Sequence, residues 1–279
     1  MSENFLLDTM TWSFSRINYT CLLEFYLHYI ECNSGGDNFF GQYGTFAHSI
    51  LEKYAKGELG LFDLSLYYED HFDDEVWMDA PYTKNGDLKE KYFFLGKEYF
   101  DSFDFDLSPF DVLGIEKEVK FQVGRHEMIG YIDLLLREKE TGKIIILDHK
   151  SHSLAYTSKG ALSKSKKNLE AIEGFKRQLY LYSIPVIEEY GKVDELWWNL
   201  FKDRKWLKLP WLSSEFEEAK QWAIERISNL YDRDDWTPIE KAGDDYYCRN
   251  LCGQREICEY CRRGYEEGEF NYETDCALV

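Results

Sequence analysis

Ile17, Cys21, Phe25 and Tyr29 recur every four residues in a polar stretch, a period that predicts an amphipathic helix over residues 13–30 with Cys21 on its inner face. A break at Gly35-Gly36 precedes a second helix that carries His48 with Leu51 and Tyr54. Residues 63–108 mix acidic and aromatic positions with glycine turn signals, and this predicts a helical insertion or lobe. The pattern then shortens to that of strands. Residues 115–121 and 128–136 flank the short Gly124-Arg-His-Glu stretch, which predicts an antiparallel pair, and residues 143–148 run apolar after the turn Glu140-Thr-Gly142. Residues 164–190 return to the helical period, 196–201 form a Trp-rich strand, and 215–231 form a late helix. This order predicts an α/β core whose first sheet region is mostly antiparallel. The chain reads as a single domain, 1–279, with N-terminal helices to 62, the lobe over 63–108, a core over 109–235 and a cysteine-rich region over 236–279.

Apolar residues at 44% and aromatics at 17% supply a full core and exclude a disordered chain. The apolar runs are shorter than a membrane span, and the start Met-Ser-Glu-Asn-Phe lacks the basic and apolar regions of a signal peptide, so a cytoplasmic protein with no membrane partner is expected. A net charge of −19 excludes passive whole-surface attraction to nucleic acid. It leaves open a nucleic acid held in a cleft, where bound divalent ions reverse the local sign. Lys159, Lys164, Lys166, Lys167, Lys176 and Arg177 gather downstream of residue 150 and are the candidate DNA contacts, with a solvated helix face as the plainer reading.

Candidate chemistry centres on Gly130-Tyr-Ile-Asp133 and on Asp148-His-Lys150, which ends the apolar run Ile144-Ile-Ile-Leu147. Asp148 and Lys150 are two apart, so on an extended segment they emerge on one face, where Asp133 of the neighbouring strand can join Asp148 around a cation. Oxygen ligands suit Mg²⁺ or Mn²⁺. Lys150 is placed to orient water or to stabilise charge on a phosphate.

These segments, with Gln178-Leu-Tyr-Leu-Tyr182 and Gly44-Thr-Phe-Ala-His48-x-x-Leu51-Glu52, resemble the PD-(D/E)XK nuclease superfamily, in particular its RecB-like and Cas4-like iron–sulfur branch. The resemblance implies a restriction-endonuclease-like core: a mixed central sheet flanked by helices, with a helical insertion and a C-terminal cysteine cluster. It makes Asp133 and Asp148 metal ligands, His48 a further one, the His149 carbonyl a main-chain ligand and Lys150 the catalytic lysine. Gln178 and Tyr182, four apart on one helix face, complete the catalytic set. The strand before Asp133 contributes a carboxylate from Glu118, with Glu116 on the same side by strand parity.

Seven cysteines stand at 21, 32, 248, 252, 258, 261 and 276, four of them within fourteen residues, a density that points to metal ligation. Cys248, Cys252, Cys258 and Cys261 together could form a closed zinc site. The resemblance instead implies a [4Fe-4S] cluster on Cys21, Cys248, Cys252 and Cys258, with Cys261 as the alternative ligand. The function so implied is a Mg²⁺- or Mn²⁺-dependent DNA nuclease, an exonuclease on single strands or DNA ends. A helicase, recombination or spacer-acquisition partner is compatible with it, and the absence of a phosphate-loop motif leaves the chain without a motor of its own. Two other readings stand beside it: a catalytically weak nuclease-fold subunit that binds DNA or protein, and an acidic interaction protein with structural zinc.

Overall fold

A computed structural model of the chain describes residues 3–84, 86–231, 233, 235–239 and 246–261. The chain opens with three short helices, α1 (Glu3–Thr9), α2 (Phe14–Ile17) and α3 (Leu22–Phe25), the last continuing into a π-helical turn over Tyr26–Ile30. The single helix expected over 13–30 is therefore broken. Cys21 is extended and forms the N-cap of α3, while Arg226 donates to the carbonyls of Ile17 (2.9 Å) and Tyr19 (2.6 Å), satisfying oxygens that a continuous helix would have used.

Helix α4 (Phe39–Ala55) is capped by the Asn38 side chain, which accepts from Gly41 N–H at 3.0 Å. The lobe consists of α5 (Leu64–Glu75) and α6 (Leu88–Asp101). Aromatic rings dominate its core: Tyr68, Phe72, Tyr92 and Phe100 are buried in one cluster with Phe39, Tyr43 and Phe46 of α4.

The sheet holds β1 (Phe110–Val123), β2 (His126–Glu138), β3 (Ile144–Lys150), β4 (Glu195–Leu200) and β5 (Lys205–Pro210) in that spatial order. β1, β2 and β3 pair antiparallel, β3 and β4 parallel, β4 and β5 antiparallel. The parallel step needs a crossover, and α7 (Lys166–Tyr190) supplies it. Helices α7 and α8 (Ser213–Ser228) pack together on one face, over Val119, Ile132, Ile146 and Trp198. The opposite face buries Leu134, Ile145, Leu147 and Trp197 under Ala55 and Phe105. A last helix, α9 (Tyr246–Asn250), leads into the cysteine segment. The result is a mixed central sheet flanked by helices, with a helical lobe and a cysteine cluster near the C-terminus. Among the described residues no helix is long and apolar enough to cross a membrane.

Candidate metal centre

The strand pair β1–β2 changes character at its middle. Ile132 packs on the α7 face and Leu134 on the other, although a regular strand would put both on one side. Opposite this point, between the pairs Ile115–Leu134 and Lys117–Ile132, Glu116 adopts φ 45°, a left-handed conformation that costs a non-glycine residue about 1–3 kcal/mol. The irregularity aims Glu116 and Asp133 at α4. One ligand atom each from His48, Glu116 and Asp133 lie within 4.8 Å of one another, and His48 Nδ1 is 3.5 Å from Asp133 Oδ2.

Strand parity made Glu116 and Glu118 equivalent, and the structure separates them. Glu118 is exposed, accepts a hydrogen bond from the Tyr131 hydroxyl at 3.0 Å and sits 3.4 Å from Lys120. Glu116 is the one that joins the His48–Asp133 group.

β3 brings the rest. Asp148 and His149 are buried. The His149 N–H donates to Asp133 Oδ2 at 2.7 Å and fixes that carboxylate. Its ring lies edge-on to His48, 5.7 Å between centroids, and the Asn199 amide lies 2.9 Å from its Nδ1 and donates to the Tyr99 hydroxyl at 2.6 Å. Lys150 donates to Asp148 Oδ1 at 3.0 Å and to Gln178 Oε1 at 2.7 Å, and Gln178 in turn donates to the Tyr182 hydroxyl at 3.5 Å. Asp148 Oδ2 lies 2.8 Å from the Lys150 ammonium but off any hydrogen-bonding direction, which leaves a buried carboxylate oxygen without a donor.

The electrostatics suit a cation site. Burial, and after it the charge of Asp148, raises the Asp133 carboxyl well above the ordinary range. Burial raises Glu116 too, aided by Glu52 and Asp148. Burial lowers His48 and holds His149 far below the ordinary imidazole range, so both rings are neutral and His48 has the form that ligates metal. Crowded, desolvated carboxylates, a neutral imidazole and an orphaned oxygen are the donor set a hard divalent cation would satisfy.

The basic residues expected to meet DNA divide into groups. Lys176 pairs with Glu173 (3.3 Å) and Glu215, Arg177 with Glu173 (3.4 Å), and Lys166 with Glu170 (3.7 Å). Lys159 and Lys164 are exposed on the segment between β3 and α7, and Lys167 is exposed in the first turn of α7. The pattern analysis did not single out Asn199, Tyr99 or Phe175. Only Asn199 left a signal, as one amide inside the apolar run Leu196-Trp-Trp-Asn-Leu-Phe201.

Cys248, Cys252, Cys258 and Cys261 are buried together, and Cys21 lines the same small cavity with Glu24 and Tyr247. Among the described residues, no three cysteine sulfurs gather within 4.8 Å of one another as the His48, Glu116 and Asp133 ligand atoms do. Burial pushes the Cys21 thiol up. Glu24 ties this segment to the N-terminal helices, accepting from Gly253 N–H at 2.9 Å and from the Tyr247 hydroxyl. Cys32 is exposed, and Cys276 lies outside the described residues.

Comparison with solved structures aligns the chain with one from Eubacterium rectale described as "Putative exonuclease", at 13% identity and a TM-score of 0.49, over 94% of this chain and 90% of that one. Comparison with curated proteins gives no match. The family profile of the PD-(D/E)XK nuclease superfamily matches residues 11–259, a span that contains His48, Glu116, Asp133, Asp148, Lys150, Gln178 and Tyr182. With nearly its whole length so matched, the chain belongs to the PD-(D/E)XK nuclease superfamily.

Proposed function

We propose that this protein is a divalent-metal-dependent deoxyribonuclease, an exonuclease acting on single strands or DNA ends. The observation that carries the reading is the convergence of His48, Glu116 and Asp133 beside an Asp148–Lys150–Gln178 chain of hydrogen bonds. His48, Glu116, Asp133 and Asp148, with the His149 carbonyl, would hold Mg²⁺ or Mn²⁺. Such an ion supplies a Lewis acid for a phosphate oxygen and lowers the pKa of an attacking water.

The remaining work falls to the chain's own groups. Gln178 and Asp148 fix the Lys150 ammonium, which donates to a non-bridging phosphate oxygen as negative charge builds there. Tyr182 holds Gln178, and the His149 N–H keeps Asp133 from rotating away. The assay is cleavage of end-labelled single- and double-stranded DNA with Mg²⁺ or Mn²⁺, wild type beside Lys150→Ala. Cleavage that requires the metal and falls by about 10²–10³ or more in the variant supports the reading. Unchanged cleavage in Lys150→Ala, or none by metal-loaded wild type, defeats it.

The cysteine pocket belongs to the same reading as a metal staple. A [4Fe-4S] cluster would use Cys21, Cys248, Cys252 and Cys258. Cys248, Cys252, Cys258 and Cys261, buried together, are a second set, which would hold zinc. Metal analysis of anaerobically purified protein separates them. Brown, iron-containing protein that loses iron in Cys21→Ala supports the cluster; colourless protein with zinc lost in Cys261→Ala supports zinc; metal-free wild type removes both.

A further inference from the structure

Positive charge collects on one wall beside Lys150, in a chain whose net charge is −19. Lys202 lies in the 3-10 turn Phe201–Asp203 that follows β4. In the β3–β4 register Lys150 pairs with Leu200, which puts the Lys202 backbone on the order of 8 Å from that of Lys150 by strand spacing and rise. The half-buried Lys202 ammonium donates to the Tyr92 hydroxyl and rests 4.3 Å from the centroid of that ring.

Other cations close around it. Lys91 on α6 and Lys167 on α7 are near enough to repel Lys202. His152 lies within the fields of Lys167, Lys202 and Lys150. The Phe175 ring gathers two members, with His152 edge-on at 5.9 Å and the Lys150 ammonium 5.5 Å from its centroid. The nearby acid, Asp203, is engaged elsewhere: it accepts from Leu154 N–H at 2.8 Å and bonds with Tyr156.

Among the described residues, neither Lys91 nor Lys202 has a carboxylate at ion-pair distance, whereas Lys56, Lys97, Lys117, Lys143 and Lys176 each do. A half-buried ammonium beside like charges, held by the Tyr92 hydroxyl and offset in part by Asp203, gains from an added anion. Burial and the repulsion from Lys91 push Lys202 down to about 8.

We propose that Lys202, with Lys91, Lys167 and His152, is a phosphate seat that holds the substrate strand at a phosphodiester next to the scissile one. The inference rests on the nuclease reading and adds to it the wall along which the strand runs. Lys202 is a positioning residue: a contact made equally in the bound and transition states changes KM and leaves kcat alone.

The test compares wild type, Lys202→Met, Lys202→Arg and, as a charge control, Lys220→Met on α8, using an end-labelled oligodeoxynucleotide with Mn²⁺ across a salt series. Lys202→Met is expected to raise KM ten- to hundredfold, the loss of one hydrogen bond to a charged group, with kcat within about twofold. Loss of one phosphate contact flattens the plot of log affinity against log salt by about 0.7, the single-strand value. Lys202→Arg recovers most of the affinity, Lys220→Met behaves as wild type, and no variant melts below wild type, Lys202→Met melting at or above it once the half-buried charge is gone. Should Lys202→Met bind and cleave with unchanged KM and salt slope while wild type is active, the seat is wrong and the nuclease reading stands. Should Lys202→Met lose melting temperature and KM together with no rescue by arginine, its role is packing. Should wild type neither bind nor cleave DNA, the seat and the nuclease reading fall together.

Discussion

At the residue scale, the site's tension lies in Asp133, whose carboxyl is raised by burial and by Asp148. In the unfolded chain this group ionises in the ordinary carboxylate range, while in the folded protein it holds its proton to higher pH. Between those two values the folded state binds more protons, so the stability of the metal-free protein falls as pH rises through the window. A bound cation removes the penalty and requires the ionised form. Mn²⁺ is therefore expected to raise the melting temperature more at pH 8 than at pH 5, and Asp133→Asn is expected to lose most of that gain. An equal gain at both pH values, or a full gain in the variant, contradicts the assignment. Asp148 and Lys150 stood out in the sequence because a strand that is apolar until Leu147 must present its first polar groups at its end, and Asp133 stood out as the acid of Gly130-Tyr-Ile-Asp133. The choice of Glu116 over Glu118 was not legible. Parity arguments assume a regular strand, and the left-handed turn at Glu116 breaks the parity.

At the element scale, the hydrogen bonds of Lys150 depend on how closely α7 sits on β2. A Cβ at Gly130 would lie 2.3 Å from Tyr182 Cε1, so only glycine lets α7 approach far enough for Gln178 to reach Lys150. Gly130→Ala is expected to cost about 1–3 kcal/mol in urea unfolding through overpacking and to lower kcat by displacing Gln178. Gly174, in the same helix, has open space around it, and Gly174→Ala is expected to stabilise by up to about 1 kcal/mol. Equal behaviour of the two variants would show that the close approach is not what holds the site. Four strands and the long helices were readable because their periods match burial on one or two faces. β5 escaped because Lys205-Trp-Leu-Lys-Leu-Pro is short and half-exposed. The N-terminal helix was overextended because periodicity registers which residues face inward and not the backbone break at Cys21, which Arg226 supports from a distant helix.

At the scale of the whole molecule, a net charge of −19 repels a polyanion at long range, and the phosphate seat proposed on Lys202, together with divalent ions, would offset that repulsion locally. The N-terminal helices and the cysteine segment are brought together as well: Gly36 N–H donates to the Gly253 carbonyl at 2.6 Å, and Gln254 donates to His28 at 3.1 Å. This places Cys21 beside the late cysteines, a proximity that spacing alone could not reveal. The α/β core followed from the order of elements and the mixed sheet from the family resemblance, but the lobe's hold on β4 did not, since Asn199 donates to Tyr99 across a hundred residues. The central claim is that one cation sits among His48, Glu116 and Asp133, and the most direct measurement is a crystal structure with Mn²⁺ located by its anomalous scattering. The account expects an anomalous peak ligated by His48, Glu116 and Asp133, with Asp148 adjoining. A fully occupied Mn²⁺ elsewhere in the molecule, with these three side chains still unligated, would contradict it.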